Sequence, residues 1–181
     1  MLRFDPILPH VVFIYSLLLC FLGGCRVNYA SVSFVKVEFE RTKLIDGIES
    51  YQSIDEFKGF LSRSSFQWEE SKDDPSPKGR PPFNMHTITI KNYLHLGFSG
   101  EMNVGFFNDR LISATFYPSD SEKYIQAIAK ATGIKFDSTQ EATLPSHTSV
   151  RLGTDYKGRK YVDWSDLRLD KEVQLWIERY S

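Results

Sequence analysis

An α+β fold built on an antiparallel, hairpin-linked sheet is predicted by three features of the chain. Several short segments alternate apolar and polar residues, the period of a half-buried strand. Other segments carry apolar residues at helical spacing behind capping signals. Most strand segments follow one another across turn-sized gaps rather than helices, which argues against a doubly wound parallel sheet. Two or three helices, segregated from the strands in sequence, complete the class.

In chain order, Val35, Val37 and Phe39 alternate with Lys36, Glu38 and Glu40, predicting a first strand. Ser53-Ile54-Asp55-Glu56 has capping-box spacing, and Phe57, Phe60 and Leu61 supply the apolar stripe of a short helix behind it. Phe66 and Trp68 open another strand. The stretch 72–82, KDDPSPKGRPP, has four prolines and no apolar side chain outside them, so it is a loop within the domain. His86, Ile88 and Ile90 then share one face of a strand, with Thr87 and Thr89 on the other.

The hairpin EMNVGFFNDRLISATFYP admits two registers. A two-residue turn at Asn108-Asp109 pairs Phe106 with Leu111 and spreads apolar residues over both faces. A three-residue loop pairs Phe106 with Ile112, Val104 with Ala114 and Met102 with Phe116, all on one face. Because a one-residue slip exchanges the faces, the buried face is expected to choose the three-residue loop.

Ser119-Asp120-Ser121-Glu122 is a second capping-box candidate, leading into Tyr124, Ile125, Ile128 and Ala129, with Gly133 placed to end the helix. Thr148–Trp164 reads as a hairpin turning at Lys157-Gly158, with Asp155 opposite Lys160. At the C-terminus, Leu169, Val173, Trp176, Ile177 and Tyr180 fit a helix capped by Asp170, while Val173, Leu175 and Ile177 fit a strand. The longer match favours the helix.

The first 24 residues read as a targeting segment. Arg3 precedes the apolar run Val11–Leu22, whose length suits a secretory core of about 7–15 residues and falls short of the roughly 20 needed to span a bilayer. Leu22-Gly23-Gly24-Cys25 resembles the lipobox of bacterial lipoproteins. That resemblance implies recognition of Leu22, Gly23 and Gly24 by a signal peptidase, cleavage before Cys25, and acylation of the Cys25 sulfur and its freed amine. It implies a signal peptide over 1–24 and an envelope protein held by acyl chains. Arg26, where an Asp resembles an inner-membrane retention signal, points to the outer membrane facing the periplasm. Cys20, preceded by the bulky Leu19, does not fit the pattern and would leave with the leader.

Residues 25–181 have the length of a single domain. Charge is balanced, with 22 basic and 23 acidic residues, whereas phosphate binding calls for a basic excess, so nucleic acid is excluded as a partner. Lys157, Arg159 and Lys160 read as a solvated turn.

No motif names a chemistry. Gly97-Phe98-Ser99-Gly100-Glu101 misses the nucleophile-elbow pattern at its fifth position, and a strand rather than a helix follows. His86 and His95 lack metal-ligand spacing, although they would bind a metal if neighbouring strands brought them together. There is no glycine-rich phosphate loop and no cofactor motif. The densest mixture of acid, base and aromatic is VDWSDLRL, with Asp163, Trp164, Asp166 and Arg168. Its structural reading has Trp164 packed and Asp166 with Arg168 capping a strand-to-helix junction.

Three functions are therefore carried forward. The leading one is a non-enzymatic docking factor for an envelope protein partner, of assembly, secretion or immunity type. The second is a glycan, peptidoglycan or lipid module using Trp68, Trp164 and Trp176 as stacking platforms. The third is a hydrolase with Asp163, Asp166 and His95 as candidates.

Overall fold

The computed structural model describes residues 40–73, 76 and 78–181. The leader, the lipobox, Cys25 and the strand expected at 35–39 lie outside the described residues. The chain enters through a small hairpin of β1 (Lys43–Ile45) and β2 (Ile48–Glu49), turning at Asp46-Gly47. Asp46 sits at φ 49°, left-handed geometry that Asp tolerates and a two-residue hairpin turn requires.

Helix α1 (Ile54–Leu61) forms where the capping box predicts it. The Ser53 hydroxyl accepts from the Glu56 amide at 3.2 Å, and the Glu56 carboxylate accepts from the Ser53 amide at 2.9 Å. Phe57 and Leu61 are buried on its apolar stripe. Strands β3 (Gln67–Lys72), β4 (Met85–His95), β5 (Phe98–Phe107) and β6 (Arg110–Pro118) then follow as an antiparallel meander. The end of the intervening proline-rich loop is pinned, because Trp176 Nε1 donates to the Pro81 carbonyl and Asn108 Nδ2 to the Pro82 carbonyl. Helix α2 (Ser121–Thr132) leads to β7 (Glu141–Thr143), β8 (Thr148–Thr154), β9 (Lys160–Asp166) and helix α3 (Leu167–Tyr180). The sheet order is β3-β4-β5-β6-β9-β8-β7, with every neighbouring pair antiparallel. The fold is α+β.

Four expectations of detail are corrected. The β5–β6 hairpin closes with the two-residue turn, Asn108 and Asp109 both at positive φ, and Phe106 pairs with Leu111 rather than Ile112. Val104 still pairs with Ala114 and Met102 with Phe116, because a β-bulge absorbs one residue between the two registers. Both faces are buried near this tip. Phe107 and Ile112 join Leu169 of α3 in a second apolar cluster, so spreading apolar residues over two faces costs nothing there.

At α2 the N-cap is Asp120, which accepts from the Lys123 amide, not Ser119. Ser119 is still held by the sheet, its amide donating to the Ser99 carbonyl at 2.9 Å. Gly133 ends the helix at φ 71°, as expected. In the β8–β9 hairpin Lys160 pairs with Thr154, one residue from the expected Asp155. Asp155 is drawn into the turn instead, its carboxylate accepting from the Lys157 and Arg159 amides at 2.9 Å each. Helix α3 starts earlier than expected, capped by Asp166, and Asp170 lies within its first turn, where it accepts from the Ser165 hydroxyl.

The main core lies on one face of the seven-stranded sheet. There Ile88, Ile90, Met102, Val104, Phe106, Ala114, Phe116, Val150 and Trp164 meet Phe57 and Leu61 of α1 and Tyr124 and Ile128 of α2. A bulge at Lys91-Asn92, with Asn92 at φ 52°, keeps Tyr93 on this face. On the opposite face, among the described residues, apolar packing is confined to one end, where Leu169 and Val173 of α3 meet Phe107, Ile112 and Met85 together with Tyr51 and Phe83. Among the described residues, most of that sheet surface carries no apolar packing.

Candidate functional site on the outward sheet face

Alternation on each strand and the pairing between strands bring polar residues into rows across the outward face. One row runs Glu69, Thr89, Asn103, Thr115, Asp163, Arg151, Glu141, one residue from each of the seven strands. The adjacent row runs Ser71, Thr87, Gly105, Ser113, Ser165, Ser149, Thr143, and every side chain in it is a hydroxyl or absent. Gly105 leaves the Ser113 hydroxyl its place, since a Cβ there would stand 2.9 Å from it. Seven strands about 4.8 Å apart make this face roughly 30 Å wide.

Carboxylates on and beside these rows are held by single hydroxyls. Thr115 Oγ1 donates to Asp163, Ser165 Oγ to Asp170 and Ser149 Oγ to Glu141, each at 2.6 Å. Burial pushes the Asp163 carboxyl above the ordinary range, against the Thr115 hydrogen bond and the field of Arg151. Asp170 is raised by burial in the same way, with Ser165 and Arg151 opposing. Among the described residues, Arg151, Asp163 and Asp170 form no ion pair with any neighbour. Asn103 adds a buried Oδ1 with no hydrogen-bond donor. The face is thus richer in acceptors than in donors.

Asp166 and Arg168 stand apart from this site. On β9, Asp163 and Asp166 lie on opposite faces, so they cannot flank one substrate as an acid/base pair. The fully buried Asp166 accepts from Ser50 Oγ at 2.7 Å, from the Arg168 amide at 2.9 Å and from the Arg168 guanidinium at 2.6 and 3.0 Å. Burial alone would raise its carboxyl, but the Arg168 and Ser50 hydrogen bonds win and hold it below the usual range. The same guanidinium donates to the Glu40 carbonyl and the Thr42 hydroxyl. This clasp joins the start of the described chain to the β9–α3 junction, in agreement with the structural reading of VDWSDLRL.

The three tryptophans separate. Trp164 (4% exposed) lies in the main core, and Trp176 (7%) packs on Phe83 with ring centroids 4.4 Å apart. Trp68, on edge strand β3, is 38% exposed, with the Lys58 ammonium 5.8 Å from its ring centroid. His86 and His95 occupy opposite ends of one strand, β4, and so cannot converge on a metal. His95 Nδ1 stands 2.5 Å from the Tyr124 hydroxyl, and its Nε2 is 3.5 Å from Asp46; burial lowers its pKa against the pull of Asp46. His86 is likewise lowered by burial, partly offset by Glu70. Ser99 lies on β5 just after the Leu96-Gly97 turn and opposite Leu94. Among the described residues no group of three His, Cys, Asp or Glu side chains is placed to hold a metal ion, and no helix is long and apolar enough to cross a membrane.

Residues the sequence reading passed over carry most of the site: Asn103, Thr115, Glu141, Ser149, Arg151 and Asp170. Polar alternation marks all but Asp170, which lies in helix α3, as one face of their strands. Which strands become neighbours depends on β9 inserting between β6 and β8, a topology no local pattern encodes. Comparison of the chain with protein-family models and with curated proteins finds no match.

Proposed function

We propose that the chain is a lipid-anchored protein of the bacterial envelope, held in the outer membrane through Cys25, and that its domain docks a protein partner across the outward sheet face. The lipobox resemblance supports the anchor. One observation carries the docking: the half-buried Asp163 and Asp170 are each held by a single hydroxyl and, among the described residues, neither they nor the neighbouring Arg151 form an ion pair. Ionisable groups held against their own solvation are characteristic of functional surfaces. A polar face of this width suits another protein, for which a stable contact takes about 800 Å² from each side, better than it suits a small molecule.

The test is crosslinking and co-purification of the full-length lipidated protein from its own envelope. Wild type is expected to retain one stoichiometric protein, Arg151→Glu to lose it, and Lys130→Glu on the exposed side of α2 to keep it. Recovery of the same proteins with wild type and Arg151→Glu would remove the outward face from the reading. Metabolic labelling with palmitate is expected to mark wild type and not Cys25→Ala, and an unlabelled wild type would remove the anchor.

A further inference from the structure

The outward face ends, where β6 leaves for α2 and β9 begins, in an arrangement different from the polar rows. Tyr117 and Tyr161 meet there with ring centroids 5.4 Å apart. The Tyr161 ring lies against the backbone of Gly153, leaving no room for a side chain at that position. The Arg159 guanidinium sits 4.4 Å from the Tyr117 ring centroid and is fixed by Asp155 at 2.8 Å and Glu101 at 3.2 Å. Glu101 is in turn held by Lys91 at 2.9 Å. Two open grooves, of about 410 and 400 Å³, are both lined by Lys160 and Glu122, which form an ion pair. Tyr117, Glu101 and Arg159 line the first, and Tyr161, Gln140 and Thr154 the second.

We infer that these grooves form a binding cleft for an oligosaccharide. The grooves together fall within the roughly 300–1,000 Å³ of small-ligand sites. Their charges balance, two carboxylates (Glu101, Glu122) against two cations (Arg159, Lys160), so neither a polyanion nor a polycation is favoured. A neutral polyhydroxylated chain matches what is left. The partly positive C–H face of a sugar ring meets the negative face of a tyrosine ring. Paired hydroxyls, each donor and acceptor, suit a carboxylate beside a guanidinium. Sugar hydroxyls exchange water for protein at little net gain, so affinity depends on side chains already held in place. The Lys91–Glu101–Arg159–Asp155 chain supplies that order. This inference is independent of partner docking, because it rests on none of Asn103, Arg151, Asp163 or Asp170.

The test is NMR titration of the full-length chain in detergent with chitotetraose, with muramidase-released peptidoglycan fragments and with maltotetraose. Ring resonances of Tyr117 and Tyr161 are expected to shift with at least one of the three. Response to the first two points to the peptidoglycan glycan as the source, and response to maltotetraose alone to a neutral surface glycan. Tyr161→Ala is expected to weaken binding about tenfold, while Tyr161→Phe, which keeps the ring, stays within about threefold. No ring shift in wild type with any of the three sugars would overturn the inference, whether or not the variants fold. Unchanged affinity in a folded Tyr161→Ala would do the same.

Discussion

Asp163 and Asp166 lie three residues apart on one strand, and the sheet gives them opposite fates. Asp166 points into the core side, where Ser50 and Arg168 surround it with donors until its charge becomes favourable. Asp163 points to the outward face, where one hydroxyl holds it and burial makes its charge costly. The difference teaches that a buried carboxylate is structural when its donors outweigh its desolvation. Where they do not, the residue is held for something other than stability.

The comparison breaks most visibly at Asp166. Asp166→Ala leaves Arg168 and Ser50 without their shared acceptor, and stability is expected to fall by about 3–5 kcal/mol, as for other broken buried pairs. Urea denaturation checks this, and a loss under 1 kcal/mol would show that the clasp is not structural. Next in size is Thr115→Val, which removes the one donor to Asp163 among the described residues. A loss of about 1–2 kcal/mol at neutral pH is expected. It should nearly vanish in the background of Asp163→Ala, which removes the acceptor, a double-mutant cycle that isolates the pair.

The smallest effect has the opposite sign. Asp163→Asn keeps an acceptor for Thr115 and removes a desolvated charge, so a gain of up to about 1 kcal/mol is expected at pH 7. The pH dependence follows from the direction of each shift. A raised carboxyl such as Asp163 favours the fold below the ordinary carboxylate pKa of about 4, and that contribution is lost as pH rises through its folded value. Asp166, with its lowered carboxyl, contributes above that range and loses its contribution as pH falls through its folded value. The advantage of Asp163→Asn over wild type should therefore grow as pH rises from about 4, in denaturation curves measured at several pH values. An advantage that stays constant with pH would assign it to packing instead of charge.

The legible parts of the fold are those fixed by neighbouring residues. Ser53 with Glu56, Gly133 at the end of α2, and the alternation His86-Ile88-Ile90 each carry their own geometry, and the structure keeps them. The β5–β6 turn was only half legible. Its sequence holds two true signals, a turn preference at Asn108-Asp109 and a buried face at Met102, Val104, Ala114 and Phe116, and the bulge lets both prevail. A one-face assumption discarded the turn because nothing local announces that α3 covers the second face at that point. The candidate site was the least legible. Asp163 stood out in VDWSDLRL, yet the hydroxyl that holds it belongs to Thr115 of β6, 48 residues away in the chain. Trp164 and Trp176 misled for a related reason: a large aromatic side chain is equally suited to stacking on a ligand and to filling a core, and only the packed neighbours decide.

The Arg168 clasp also has a mechanical consequence. Its guanidinium grips the Glu40 carbonyl and the Thr42 hydroxyl while pairing with Asp166, on a strand hydrogen-bonded on both sides. Tension applied to the chain ahead of Glu40 is therefore shared at once with β9 instead of peeling β1 away from β2 one bond at a time. A domain built this way yields by shearing several bonds together, and it keeps its shape under loads that would unzip a simple hairpin.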